Sequence, residues 1–320
     1  MNAQTLAVVA TTGFFDPTPR VVKDGRPLLY DAHRTSGLGQ ASCASCHADA
    51  RMDQVAWDLG DPDGAVKPFN QNCRNGTGGC EDWHPMKGPM TTQTLQGAVG
   101  REPLHWRGDR EDLAAFTGAF ASLMGLDEGE KPSAADMAAF EAFLAAVTFP
   151  PNPFRNFDGS LRNSPLPGSG VPTAGEQIYL NADIDRGQLT CNECHALPSG
   201  TNGEIIGATA LQESQSFKVP HLRNMHEKTG FRRDSLANNR GFGFAHDGVD
   251  DTLVTFLSRA VFVYPGDPVQ MKRDLEAFVF SLGTDTHASV GKQRTLTAAN
   301  KTDPAVLAFV SDMIARAEAG

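Results

Sequence analysis

The pentapeptide Cys43-Ala44-Ser45-Cys46-His47 has a counterpart in Cys191-Asn192-Glu193-Cys194-His195. No other feature restricts this chain as much. C-x-x-C-H is the attachment signature of c-type haem. The two thiols add to the porphyrin vinyl groups, and the adjacent imidazole reaches the iron as proximal ligand. The spacing holds two sulfurs and one imidazole around a single porphyrin edge. Two covalently attached haem c groups are therefore predicted, one on Cys43, Cys46 and His47, the other on Cys191, Cys194 and His195. A zinc ribbon or a redox C-x-x-C is the alternative. Zinc would need four thiolate or imidazole ligands drawn from pairs far apart in the chain, and the repeated histidine would have no role. Of the six cysteines, Cys73 and Cys80 remain. They flank Arg-Asn-Gly-Thr-Gly-Gly, a flexible loop that can close a small disulfide, two free thiols being the alternative. Attached haem and spare cysteines point to a periplasmic or extracellular protein. Residues 1–13 have neither a basic start nor an adequate apolar stretch for a secretory signal, so the expectation is a processed form or a segment of a longer polypeptide.

The 320 residues suggest two domains at roughly 150 residues each. With 40% hydrophobic and 21% charged residues the chain is not of disordered type. No apolar run approaches the ~20 residues of a membrane span. The 32 Gly and 20 Pro indicate long loops, and a prosthetic group would help complete the cores of such a chain. A net charge of −10 without a Lys/Arg stripe argues against nucleic acid and anionic lipid, and favours a basic partner protein as redox donor or acceptor.

An internal repeat organises the chain. Gly25 to Tyr30 precedes the first motif as Gly175 to Tyr179 precedes the second. Downstream, the stretch from His105 through Gly108 to Leu113 matches the stretch from His246 through Gly248 to Leu253. Each half closes with a helical apolar face: Met137, Phe140, Phe143 and Leu144 in one, Leu275, Phe278 and Leu282 in the other. Phe149-Pro-Pro-Asn-Pro-Phe154 and the Gly/Ser/Pro/Asn-rich stretch to Thr173 read as a linker. The predicted fold is mainly α, two tandem cytochrome c-like haem domains over residues 1–155 and 156–320 with long loops, few short strands, and one extra helix over Pro304–Ala319.

Several segments resemble the bacterial di-haem cytochrome c peroxidase and MauG-like superfamily. They are the paired C-x-x-C-H motifs, Lys218-Val-Pro-His-Leu-Arg-Asn224, Phe244-Ala-His-Asp-Gly248 and His105-Trp-Arg-Gly-Asp109. Cys-Ala-Ser-Cys-His, Trp57-Asp-Leu-Gly60 and the stretch His84 to Leu95 are similar to a subgroup often fused behind a β-propeller. The resemblance implies one haem that reacts with peroxide and one that accepts electrons from a donor, a fused β-propeller domain, and calcium between the domains. The loops carry many Asp and Asn residues but no EF-hand-like pattern. It also implies a tryptophan between the haems at Trp106, a buried structural indole being the alternative. Trp106 and Arg107 are the catalytic candidates. Arg107 and Arg223 would pair with haem propionates, or else form surface salt bridges, and His246 would contact propionates. The family's glutamate after the tryptophan motif has no equivalent between Phe120 and Glu130, and Ala260 stands where the second haem's methionine is expected.

His47 and His195 follow from the motif as proximal ligands; the distal ligands stay open. For the first haem the candidates are His84, Met86, Met90 and His105, and for the second His221, Met225, His226, His246 and Met271. Arg107, His105 and Glu128 are the candidates for an acid–base group beside an open haem. Two functions compete: an oxidoreductase that reduces peroxide or oxidises a protein or small molecule, and an electron carrier with two six-coordinate haems.

Overall fold

The computed structural model describes residues 4–5, 7–74, 79–228 and 243–319. Four helices make its framework. Arg20–Tyr30 packs on Ala134–Ala145, and Pro172–Asn181 packs on Pro268–Phe280. Each start is encoded locally. Ser133 caps its helix by accepting from the Asp136 N–H, and Asp136 answers with the Ser133 N–H. Asp267 accepts from the Val269 N–H, and Pro268 and Pro172 stand in the first turn of their helices, where no N–H is missed.

Both pairs cross at a glycine. A Cβ on Gly25 would lie 2.2 Å from the Ala139 carbonyl oxygen, and one on Gly175 would lie 1.9 Å from the Asp274 carbonyl oxygen. The backbones approach too closely for any side chain. Gly175→Ala is therefore expected to cost about 1–3 kcal/mol by forcing the helices apart. Gly118→Ala, in a helix where nothing stands within 4 Å of the added methyl, should be neutral or stabilising. Chemical denaturation of the two variants checks the contrast.

Two apolar clusters sit on these helix pairs. Leu28, Leu29, Phe120, Met137, Phe140, Phe143 and Leu144 form the first. Tyr179, Ile184, Phe244, Leu253, Leu275, Phe278 and Leu282 form the second. The predicted helical faces are thus core, although Leu282 lies just past the end of its helix. The strands are short, as expected. Ala56–Asp58 pairs antiparallel with Pro89–Thr91. Cys73–Arg74 runs parallel to Ile205–Ile206, which pairs antiparallel with Phe217–Lys218, so this small sheet ties the two halves of the chain together. Cys73 and Cys80 form a disulfide beside it.

The segment expected to be a linker is anchored instead. The Asn152 amide donates to the Phe280 and Leu282 carbonyls at 2.8 Å each, and Arg155 Nε donates to the Ser281 carbonyl at 2.7 Å. These side chains take the carbonyls that a helix end leaves without partners, which composition alone does not reveal. The extra helix, Pro304–Ala319, buries Val306 and sets Phe309 against Phe157 at 4.9 Å. No helix among the described residues is long and apolar enough to cross a membrane.

Candidate functional site

Each C-x-x-C-H motif forms one tight turn. The His47 N–H donates to the Cys43 carbonyl at 2.9 Å, and the His195 N–H to the Cys191 carbonyl at 2.8 Å. All four motif cysteines carry free thiols. Burial pushes the Cys43 thiol up to about 11 and the Cys191 thiol up to about 12, so both stay protonated at neutral pH, unlike a redox nucleophile. Among the described residues no three His, Cys, Asp or Glu side chains converge as a metal site. The two cysteine pairs are thus not drawn into one such cluster there, and none stands ready for the calcium expected from the resemblance.

The two motif histidines are held differently. His195 Nδ1 lies 3.0 Å from the Gly200 carbonyl and 3.1 Å from the Pro220 carbonyl. Carbonyls only accept, so Nδ1 carries the hydrogen and Nε2 keeps its lone pair. Tyr179 donates its hydroxyl to the His195 carbonyl and fixes the backbone there. Burial holds the His47 imidazole down to about 4, with the Gln93 backbone opposing it, so His47 is neutral at physiological pH. Its Nδ1 is buried and closes no hydrogen bond. Free thiol pairs, neutral imidazoles and apolar walls fit covalent haem at both motifs. Cys43, Ala44, Leu95 and Leu104 line the first cluster, and Cys191, Leu197, Leu222 and Met225 line the second.

The repeat extends to two matching turns, in the register set by Gly108 and Gly248. Leu104 N–H donates to the Arg110 carbonyl, and Phe244 N–H to the Asp250 carbonyl, at 2.6 Å each. Gly108 and Gly248 have φ of +72° and +74°, and His105 and Ala245 have φ of +69° and +67°. His105 is thus equivalent to Ala245, and Trp106 to His246. This is the register in which the sequence match aligns Gly108 with Gly248 and Leu113 with Leu253; the two histidines stand three and two residues before their glycines and so occupy different positions.

The two turns are exchanged across the molecule. Thr91 N–H donates to the His246 carbonyl at 2.7 Å, and Lys218 N–H to the Trp106 carbonyl at 2.8 Å. Trp106 Nε1 donates to the Thr91 carbonyl at 2.7 Å, so Thr91 links Trp106 to His246. The buried Lys228 ammonium stands 5.1 Å above the Trp106 ring, and burial brings it down to about 8. His246 stacks on Phe217 with centroids 4.2 Å apart.

Arg107 is buried and held through its terminal nitrogens, while its Nε has no partner. Nη1 donates to the His84 carbonyl at 2.7 Å and to Gln215 at 3.3 Å, and Nη2 to Asp109 at 3.0 Å. Arg223 is buried, pairs with Asp285 at 2.6 Å, and has an Nε without a partner. It belongs to a group of cations, with Arg101, Lys218 and Lys228, around the half-buried His221; desolvation foremost, and these charges next, bring that imidazole down to about 3. The remaining candidates scatter. His84 is exposed and its Nδ1 accepts from the Met86 N–H at 3.1 Å. Met86 is 43% exposed, beside Gly60. Met90 stands in a strand opposite Trp57, and Met225 and Met271 pack against the second cluster. Glu128 is 79% exposed and pairs with Lys131, so it faces no pocket as an acid–base group.

Sequence reasoning overlooked Asp109, Thr91, Lys228 and Tyr179. Asp109 and Tyr179 sat inside quoted motifs, so a search for carboxylate and hydroxyl partners of the histidines would have found them. Thr91 acts through its backbone and Lys228 through tertiary placement, which leave no local signal.

No protein-family profile matches the chain. Hydrazine synthase subunit gamma of Kuenenia stuttgartiensis is 25% identical over 166 residues, covering 49% of this chain. That stretch spans only 37% of the relative's length. A solved structure of Kuenenia stuttgartiensis hydrazine synthase pressurised with xenon superposes with a TM-score of 0.56 at 18% identity, over 87% of this chain and 99% of that one. The chain shares that fold. A MauG-like protein associated with microbial copper homeostasis superposes at a TM-score of 0.47 and 16% identity, over 90% of this chain and 93% of that one.

Proposed function

We propose that this chain is a di-haem c-type cytochrome oxidoreductase of the di-haem peroxidase and MauG-like kind. Two cytochrome c-like units, residues 1–155 and 156–320, would each carry one haem and pass electrons between them. The observation that carries the reading is the repeated pair of free thiols beside a half-buried histidine, with carbonyls fixing Nδ1–H at His195.

Bound haem would supply one-electron exchange at iron. This chain's residues do the rest. Cys43, Cys46, Cys191 and Cys194 would tether the porphyrins, and His47 and His195 would ligate the irons. The buried cations Arg223, Lys218 and Lys228 suit the negative charge of propionates in a protein that is otherwise acidic. Trp106, joined to His246 through Thr91, offers a bonded connection between the halves. The nearby Lys228 charge opposes removal of an electron from the indole, which favours a bridging role over a radical one.

Either peroxide reduction or oxidation of a protein or small molecule would need one haem with an exchangeable position. A pure carrier is the second reading, and the exposed, ion-paired Glu128 favours it by leaving no carboxylate for peroxide chemistry there. In both readings the protein works outside the cytoplasm with a basic redox partner. A subunit of hydrazine synthase as relative supports work within a larger assembly, and a fused β-propeller would be one form of it.

The test is haem and iron content followed by EPR of the half-reduced protein with and without hydrogen peroxide. Two haems per chain are expected. A high-spin ferric signal that vanishes with peroxide would establish the enzyme, and low-spin signals indifferent to peroxide the carrier. Zinc in place of iron would overturn the haem reading.

A further inference from the structure

We propose that His105, oriented by Asp109, is the sixth ligand of the first haem, and that the second haem has no counterpart because Ala245 takes the equivalent position. The inference rests on the haem reading above and goes further by making the two haems unlike.

His105 Nδ1 lies 2.9 Å from Asp109 Oδ1. Asp109 is 3% exposed and its other oxygen accepts from Arg107 at 3.0 Å and Arg110 at 3.2 Å. Two guanidiniums keep the carboxylate ionised, and an ionised carboxylate only accepts. The hydrogen therefore sits on His105 Nδ1, and the neutral ring offers the Nε2 lone pair. Carbonyls do the same for His195. Ligating histidines generally give their other N–H to such an acceptor.

The position suits the first motif. Leu104, next in the chain, packs on the first cluster with Cys43 and Ala44, and Phe116 of that cluster meets the His105 ring edge-on at 4.7 Å. The imidazole is near enough to His47 for a charge on one to act on the other. The ring is also held from behind. A φ of +69° is unfavourable for a histidine by roughly 1–2 kcal/mol. The turn imposes it through Leu104 N–H to the Arg110 carbonyl and Gly108 N–H to the His105 carbonyl. The rivals are less well placed. His84 has its Nδ1 accepting from backbone and lies in the open, Met86 is exposed, and Met90 is committed to a strand.

The carboxylate does more than orient. An imidazole whose N–H is given to an anion is a stronger donor to iron and favours the ferric state, so Asp109 is a positioning residue that would lower one haem's potential.

The experiment uses the full haem-loaded chain. Haem content is measured first, and failure to find two haems would sink the haem reading and this inference with it, whereas the variants below test the inference by itself. With two haems present, His105→Ala is expected to convert one of the two ferric haems from low spin to high spin at unchanged haem content. His105→Met should restore low spin with a sulfur-to-iron charge-transfer band. Asp109→Asn should keep low spin and raise the midpoint potential of one haem. If His105→Ala leaves both spin states unchanged, His105 is not a ligand. If it only slows a reaction with peroxide at a haem already high-spin, the residue is an acid–base group, and the proposal fails.

Discussion

Replacing Cys191 and Cys194 together with alanine is expected to leave one haem per chain, held at Cys43 and Cys46. The two thioether bonds are the covalent tether, and His195 alone would bind haem reversibly. The effect should reach beyond stoichiometry. Cys191, Leu197, Leu222 and Met225 wall the second cluster but are themselves only partly buried. A large apolar group seated against them takes that surface out of water at about 25 cal/mol per Å². Without it the second cluster should unfold at lower denaturant than the first. Denaturing electrophoresis with haem staining, and the intact mass, would each show one haem where the parent shows two. Two haems in the double variant would sink the assignment of this motif. Cys43 and Cys46, changed in the same way, should remove the other haem and leave the second spectrum in place, which assigns the spectra to the two sites.

Much of this was legible in the sequence, and the reasons divide by range. The C-x-x-C-H motifs are contiguous, so their chemistry is written in five residues each. Helix faces repeat over three or four positions, and Phe140, Phe143, Leu275 and Phe278 all proved to be core. Cys73 and Cys80 sit seven apart around a glycine-rich loop, close enough for the pairing to be read locally. What escaped was set by backbone or by contacts distant in sequence. The Gly200 and Pro220 carbonyls that fix His195 could come from any residue type. The left-handed turns at His105 and Ala245, by contrast, follow the register that the Gly108/Gly248 match had already set. Asn152 and Arg155 tie down a stretch whose proline and glycine read as linker, because their partners lie 126 to 130 residues away in sequence. Lys228 finds Trp106 from 122 residues away, and a charged side chain is not expected inside.

The same contrast between halves sets the largest stability effect. Phe143 and Phe278 occupy equivalent places, each with the Cβ that a methyl on Gly25 or Gly175 would strike. Phe278 is the deeper, 1% exposed against 6%. It stacks edge-on against Tyr179 at 5.0 Å, and Tyr179 in turn donates to the His195 carbonyl. Phe278→Ala should therefore cost about 3–5 kcal/mol, the usual range for a buried phenylalanine, through lost burial and the cavity left behind. Phe143→Ala should fall at the lower end of that range or below, since its site is less closed. The chemical consequence should differ as well. Loosening Tyr179 releases the backbone that carries His195, so Phe278→Ala should broaden or shift the spectrum of the second haem, whereas Phe143→Ala should leave that haem unchanged. Denaturant titration followed at the two haem absorption bands would separate stability from site geometry. Equal losses in both variants, with the second haem's spectrum untouched, would show that the Phe278–Tyr179–His195 chain of contacts does not reach the iron ligand.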